Sequence, residues 1–338
     1  MILHFPNVFA DSLRLLRRLT PRKALNYLKI QGGYYYSRMS GKARVWAHPF
    51  SVSAETAAVC NLRCPECIAG QGQTRREHSR MELSMFQKVL SAHASHAFYA
   101  NLYFQGEPFL NPYLEEMIAH ADACGYYTSL STNGHFLEVQ RCRGVVNAGL
   151  DRMIISLDGL TEESYNFYRV GGRQQRVLTG IRNLAAVRRE LGVRHPMIEI
   201  QFLVNSRNIH ELPGLKQFAR ELGADKLSLK RMQVYGDEGA DKFLPDDPRY
   251  NRYIATQGGR KGMQALKGGP CYRLWSHAVY TSDGMLVPCC YDKVPEFPLG
   301  GLEQKKPEAL WFAPGMNAFR QQVMDRRGDI SICCNCDG

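Results

Sequence analysis

Residues 58–67 read Ala58-Val59-Cys60-Asn61-Leu62-Arg63-Cys64-Pro65-Glu66-Cys67. Three cysteines, separated by three and then two residues, follow a strand-like run, Ser53–Val59, and share one tight loop. A cubane iron–sulfur cluster has four irons. Three thiolates from one loop leave the fourth iron open to a ligand that is not protein, which suits a cluster that must touch a small molecule. A zinc site with this spacing would lack a fourth local ligand.

Outward from this loop the chain alternates strand and helix. Strand-like runs occur at Ser53–Val59, Phe98–Phe104, Tyr127–Ser131, Met153–Leu157, Met197–Val204 and Lys226–Leu229. Helical stretches lie between them. Ser84 with Gln87 has the form of a capping box, and Asn111-Pro112 opens a helix that Gly125 closes. Six such units predict an α/β fold with a parallel sheet and outer helices, and such sheets bind ligands at the C-terminal ends of their strands.

The segment Cys60–Cys67 resembles the CxxxCxxC signature of the radical S-adenosylmethionine (radical SAM) superfamily. The resemblance covers roughly residues 50–235 and implies a partial (β/α)6 barrel. It implies a [4Fe-4S] cluster on Cys60, Cys64 and Cys67 whose open iron binds S-adenosylmethionine, with reductive cleavage to methionine and a 5'-deoxyadenosyl radical. Glu66 departs from the aromatic or bulky apolar residue usual before the third cysteine. Gln105-Gly106-Glu107-Pro108 is similar to the family's Gly-Gly-Glu segment, with Gln105 for the first Gly; Glu107 would receive the methionine amino group. Ser131 and Asn133 in Ser131-Thr132-Asn133-Gly134 would meet the ribose hydroxyls. Ser156 and Asp158 end the fourth strand. Arg169 would pair with the methionine carboxylate, and Val204 would lie against adenine. Cys124 and Cys142 continue apolar helical stripes and read as buried small hydrophobes.

Residues 1–48 hold nine Lys/Arg and one acid, Asp11, within a chain of formal charge +11. Val8, Phe9, Ser12, Leu15, Leu16 and Leu19 make one face of an amphipathic helix. Thr20-Pro21 opens a second helix, expected to stop at Gly32-Gly33. These helices are expected to cover one end of the main domain; the basic bias also allows peripheral contact with an anionic membrane. No run of about 18 apolar residues and no signal-peptide h-region occur, so a cytoplasmic location is expected. Bunched cysteines in such a chain read as cluster ligands rather than disulfides.

Residues 236–268 read as a linker. The remainder, 269–338, has a hairpin-like Ser282-Asp283-Gly284 and six cysteines, and a segment so small needs a staple. Cys271, Cys289, Cys333 and Cys336 resemble the ligand pattern of the twitch module, the short relative of the SPASM domain. That resemblance implies one auxiliary [4Fe-4S] cluster, hence two clusters in all. Spacing alone leaves Cys290 and Cys334 as alternatives to their neighbours, and a zinc ribbon remains the competing reading.

A fully ligated auxiliary cluster is suited to accept an electron from a substrate radical. The leading expectation is oxidation of an alcohol in a small polyol, sugar or aminocyclitol, with Lys230, Arg231 and Tyr103 as candidate bases. Peptide or protein modification is the alternative within the family; a non-catalytic iron–sulfur protein is the alternative outside it. The resemblance implies a flavodoxin- or ferredoxin-type reductant and no nucleic-acid partner.

Overall fold

The computed structural model describes residues 2–4, 8–255, 261–263 and 269–336. The strands are β1 (Ile2–His4), β2 (Ser51–Ala54), β3 (Tyr99–Asn101), β4 (Tyr127–Thr132), β5 (Arg152–Ser156), β6 (Met197–Val204), β7 (Lys226–Arg231), β8 (Tyr253–Ala255), β9 (Lys261–Met263), β10 (His277–Tyr280) and β11 (Leu286–Val287). Nine of them form one open sheet in the order β1-β7-β6-β5-β4-β3-β2-β10-β11. From β7 through β10 every pair is parallel; β1 and β11 are antiparallel additions at the two edges. The six-strand parallel unit expected from the sequence is present, and it does not close into a barrel.

Helices α1 (Val8–Arg17), α2 (Pro21–Ser40), α3 (Leu83–His93), α4 (Leu114–Ala123), α5 (Val139–Asn147), α6 (Glu162–Tyr168), α7 (Gln174–Glu190), α8 (Leu212–Glu221) and α9 (Asp237–Phe243) precede the cysteine-rich end. That end adds α10 (Tyr272–Ser276), α11 (Pro307–Trp311), α12 (Pro314–Arg326) and α13 (Ser331–Cys334). No helix of the described residues is long and apolar enough to cross a membrane. One core runs through the whole assembly: Ile30 of α2, Val52, Leu130 and Ile200 of the sheet, and Trp275, Trp311 and Met316 of the C-terminal segment belong to the same buried cluster.

Several local expectations are corrected. Gly32-Gly33 does not stop α2, which runs to Ser40 and ends at Gly41 (φ 69°), whose N–H reaches the Ser37 carbonyl. A β-carbon on Gly33 would lie 3.1 Å from the Arg44 carbonyl oxygen, and one on Gly32 would lie 3.1 Å from the Trp46 ring. The glycines therefore let the returning segment pack close. Glu82, not Ser84, precedes α3, and no side-chain cap forms there. Strand β2 ends at Ala54 rather than Val59. Thr56 and Ala58 pair instead with residues 79–81, and Glu55 is drawn into a buried ion pair with Arg76 at 2.6 Å. The expected linker contains α9 and the antiparallel pair β8–β9; its residues 256–260 and 264–268 lie outside the described ones.

The basic residues of α1 are partly spent on docking. Arg14 meets Asp151 at 2.5 Å and Arg18 meets Asp122 at 2.5 Å. Asp11 accepts from Tyr127 and Arg152. Asp151 also accepts the backbone N–H of Thr128 at 2.9 Å. These contacts gather at the N-terminal ends of β4 and β5, the end of a parallel sheet opposite the one where ligands bind, so their contribution is to stability. Replacing Asp151 by Ala strands Arg14 and the Thr128 N–H; urea denaturation should show a loss of about 3 kcal/mol, with α1 becoming the first site of tryptic cleavage.

Candidate functional site

The cysteine loop leaves β2 and is gripped from three sides. Glu107 donates its N–H to the Val59 carbonyl at 2.8 Å. Arg63 donates to the Val170 carbonyl at 2.9 Å, which ties the loop to the end of α6. Gly106 has φ 69°, and a β-carbon there would sit 2.4 Å from the Ala57 carbonyl oxygen. The Gly of the Gln105-Gly106-Glu107 segment is thus required twice, for its backbone conformation and for the close approach. Gln105 itself turns its amide back to the Phe104 carbonyl.

Glu107 is buried and accepts three hydrogen bonds, from the Thr132 hydroxyl at 2.8 Å, the Asn133 N–H at 2.7 Å and the Phe109 N–H at 3.2 Å. Burial pushes its carboxyl up to about 7, against the pull of those donors. An ammonium partner is what such a carboxylate lacks. Asn133 extends the network, donating to Asn61 at 2.7 Å, with its amide nitrogen 3.7 Å from the Cys60 sulfur. Asp158 receives the Arg169 guanidinium at 2.5 Å and the Leu203 N–H at 2.7 Å. Arg169 lies 4.0 Å from the Cys64 sulfur. Ser131 and Ser156 stand at the ends of β4 and β5, half-buried and buried respectively.

The fold therefore collects Cys60, Cys64, Glu107, Asn133, Asp158 and Arg169 around one loop. Val204 goes elsewhere. Its side chain is fully buried in the main core, while Leu203 packs with Cys60, Cys67 and Met232 in a separate apolar cluster over the loop. Successive strand residues face opposite ways, so the apolar contact beside the cysteines belongs to Leu203.

Glu66 accepts the N–H of Tyr235 at 2.9 Å and reaches the first turn of α9, where a β-carbon on Gly239 would fall 2.0 Å from its carboxylate oxygen. The departure seen in the sequence is an anchor for the segment that follows β7.

In the C-terminal segment Cys271, Cys289, Cys333 and Cys336 line one internal cavity. Cys290 lies outside it and accepts from Arg273 at 2.8 Å; Cys334 is exposed and reaches the Gly328 carbonyl. Burial pushes the thiols of Cys64 and Cys333 up to about 11. Thiolates in such sites need a metal to hold the charge. Among the described residues no three His, Cys, Asp or Glu side chains converge on a single metal ion. Cubane thiolates bind separate irons, so that convergence is not what the group requires. Three thiols on a tight loop and four around a cavity fit two such clusters.

Residues 55–200 match the model of the radical SAM superfamily, and residues 271–337 match that of SPASM, an iron–sulfur cluster-binding domain. The chain carries a radical SAM domain followed by a SPASM domain. The first implies a [4Fe-4S] cluster and S-adenosylmethionine, and the second further iron–sulfur. The PqqA peptide cyclase of Gluconobacter oxydans (strain 621H) is 25% identical over 290 residues, 80% of this chain and 79% of that protein. The PqqA peptide cyclase of Bradyrhizobium diazoefficiens is 29% identical over 198 residues, 57% of this chain and 49% of that one. Streptococcus suis SuiB bound to S-adenosylmethionine superposes with a TM-score of 0.62 at 12% identity, covering 91% of this chain and 76% of that one. BtrN in complex with AdoMet and 2-DOIA gives 0.54 at 16%, covering 86% and 94%. These structural likenesses establish a shared fold.

Of the candidate bases, Tyr103 is half-buried in the wall of a cavity shared with Cys289 and Cys290, and desolvation there pushes its phenol well above the usual range; it keeps its proton at neutral pH. Arg231 is a hydrogen-bond donor and no proton acceptor. Lys230 is exposed at the end of β7 and lines a cavity with Cys290 and Tyr291.

Gly106→Ala forces both a disfavoured φ and a clash with the Ala57 carbonyl. The variant should fold with a loss of about 2 kcal/mol, by the cost of a strained left-handed residue, and bind S-adenosylmethionine at least tenfold more weakly in equilibrium dialysis of the anaerobically reconstituted protein.

Proposed function

We propose that this chain uses the 5'-deoxyadenosyl radical to oxidise an alcohol of a small hydrophilic molecule (a polyol, sugar or aminocyclitol) to a carbonyl. One observation carries the reading. A cavity of about 710 Å³ lies against the end of β7 and the segment Cys290–Lys293, next to the second cysteine group, a size suited to a small molecule. When bound, the first cluster would supply the electron that cleaves S-adenosylmethionine, and the second would accept the electron that the substrate loses. S-adenosylmethionine, when bound, would supply the radical that takes the hydrogen atom beside the hydroxyl; the chain's own part would be to accept the hydroxyl proton, for which Lys230 is the candidate base. Cys60, Cys64 and Cys67 would hold the first cluster. Cys271, Cys289, Cys333 and Cys336 would hold the second. Glu107 would receive the methionine ammonium, Arg169 its carboxylate, and Ser131, Asn133, Ser156 and Asp158 would border the nucleoside. A flavodoxin- or ferredoxin-type protein would deliver electrons.

The second reading, peptide modification, draws support from the relatives named PqqA peptide cyclase and from the structure of SuiB bound to the precursor peptide SuiA. A substrate screen that follows 5'-deoxyadenosine separates the two: release stimulated by peptides and not by polyols or sugars would replace the first reading with the second. No cleavage of S-adenosylmethionine at all would leave a non-catalytic iron–sulfur protein.

The cysteine groups allow a sharper test. Reconstituted protein should carry about eight irons per chain. Replacing Cys60, Cys64 and Cys67 by Ala should leave about half of the iron and abolish 5'-deoxyadenosine formation. Replacing Cys333 and Cys336 by Ala should also halve the iron, but leave some 5'-deoxyadenosine formation under dithionite with little oxidised product. Circular dichroism must show both variants folded. Parental oxidation by the second variant would remove the electron-acceptor role.

We further propose that the N-terminal segment rests on an anionic membrane surface. Helix α2 buries Lys23, Asn26, Ile30, Gly33 and Ser37 and exposes Leu25, Leu28, Tyr35, Tyr36 and Met39, the reverse of an ordinary docked helix. Among the described residues, ten of the fifteen exposed large hydrophobic side chains fall between Phe9 and Trp46, so the apolar exposure is concentrated. Arg17, Arg22, Lys29, Arg38 and Lys42 are exposed in the same segment, and its one acid, Asp11, is buried. Apolar side chains among cations suit an anionic lipid surface. Vesicles containing phosphatidylglycerol should sediment the protein at low salt and phosphatidylcholine vesicles should not. A Leu25→Ser, Leu28→Ser, Met39→Ser variant should stay in solution; equal sedimentation of this variant would refute the contact.

A further inference from the structure

The parallel sheet has two faces of opposite character. Val52 of β2, Ala100 of β3, Leu130 of β4 and Ala278 of β10 lie in the main core with the helices. The alternate residues point the other way. Across β10, β2, β3 and β4 the register sets His277 beside Ser51, Ser53 beside Asn101, and Asn101 beside Ser129. The corresponding inner face of a (β/α) barrel is normally packed with layers of Val, Ile and Leu. Here it carries hydroxyls, an amide and an imidazole, and polar side chains taken out of water need partners.

Over this face lies a cavity of about 230 Å³. Ser53, Asn101, Tyr103 and His277 line it, each of them half-buried. Asn101 donates to the hydroxyls of Ser53 at 3.2 Å and Ser51 at 3.4 Å, which fixes the row. The His277 ring is held at Nδ1 by the Ser276 hydroxyl, 2.7 Å away, and packs edge-to-face with Phe50. Among the described residues its Nε2 has no partner. Burial lowers the imidazole to about 4, so at neutral pH it is uncharged and can accept a hydrogen bond. Tyr103 keeps its proton and can donate one. Arg273, the cation among the described lining residues, already lies on the Cys290 sulfur at 2.8 Å. Phe104 and Val279 add apolar wall. Neutral donors and acceptors beside a small apolar surface match hydroxyls on a carbon ring.

We infer that this cavity seats an uncharged, polyhydroxylated ring of the substrate, the size of one monosaccharide or cyclitol, with Ser53, Asn101 and His277 as its hydrogen-bonding partners. This rests on the reading of the chain as an oxidase of small alcohols and gives that substrate a class and a place. Arg273 and Cys290 line both this cavity and the larger one against β7, so the larger one would take whatever the ring carries. Cys289 lines the ring cavity as well. It would help hold the second cluster, which places the ring beside the group that would accept its electron. Three of the ring's partners stand on β2, β3 and β10, and a site built on strands holds its ligand more firmly than one built on loops.

The test titrates the anaerobically reconstituted full chain in a calorimeter with four probes. Myo-inositol and glucose are neutral rings rich in hydroxyls; cyclohexanol has a single hydroxyl and glucuronate a charge. At least one of the neutral rings should bind, and cyclohexanol and glucuronate should bind at least tenfold more weakly. A Ser53→Ala, Asn101→Leu variant should bind that ring at least tenfold more weakly, as two lost hydrogen bonds imply, while keeping its iron content and circular dichroism spectrum. Ser53→Ala alone removes one hydroxyl and adds no bulk; it should weaken binding about threefold and decides the matter if the double variant does not fold. No binding by either neutral ring, equal binding by cyclohexanol or glucuronate, or unchanged binding in a folded variant would each overturn the assignment. Oxidation of the rings by the parent protein is followed alongside. Ring binding without oxidation defeats the oxidase reading and leaves the ring site standing; oxidation of a ring whose binding the variants leave unchanged defeats the site alone.

Discussion

The carboxylate of Glu107 is the point at which the cysteine loop, β3 and β4 are joined. Its backbone holds Val59, just before the first cysteine, and its side chain holds Thr132 and Asn133 at the end of β4. A carboxylate buried among neutral donors is costly, and the chain accepts this because the same group is positioned to meet a cation from outside. Gly106 makes the contact feasible by letting two backbones approach without a side chain between them. The loop, the network and the strand ends form a single construction, in which removing any one piece leaves polar groups without partners.

Much of this was legible because each element is local. The cysteine spacing, the Glu after Gly106, Asn133 at a strand end and Arg169 after a helix are read from a few neighbouring residues, and the alternating pattern orders them along one sheet edge. What was not legible depends on residues distant in the chain. Gly32-Gly33 has the form of a helix stop, and only the return of Arg44–Trp46 explains why the helix continues. Strand β2 was read too long because the pull of Arg76 on Glu55 has no local signal. Val204 and Leu203 are one residue apart, and which of them faces the cysteines is decided by the strand's orientation in the sheet.

The same holds for the cysteine-rich end. A staple was expected for a small separate module. The structure instead continues the sheet, with β10 parallel to β2 and the Ser282 N–H donated to Glu55 at 2.9 Å. Its tryptophans share the main core. The choice between adjacent cysteines was open in the sequence because spacing is blind to direction; here Cys289 and Cys333 turn toward the common cavity and Cys290 and Cys334 away from it.

The two residues after Gln233 have a role of a different kind. Tyr235 gives its N–H to Glu66, between the second and third cysteines of the first loop, and the Val234 carbonyl receives the side chain of Asn335, between the last two cysteines of the chain. One dipeptide is thus pinned at both ends, like a tie-rod between two fixtures. The two cysteine groups are thus referred to one another through this dipeptide, and the residue before it, Gln233, carries the same connection into the cavity wall by accepting from Lys293 at 2.8 Å.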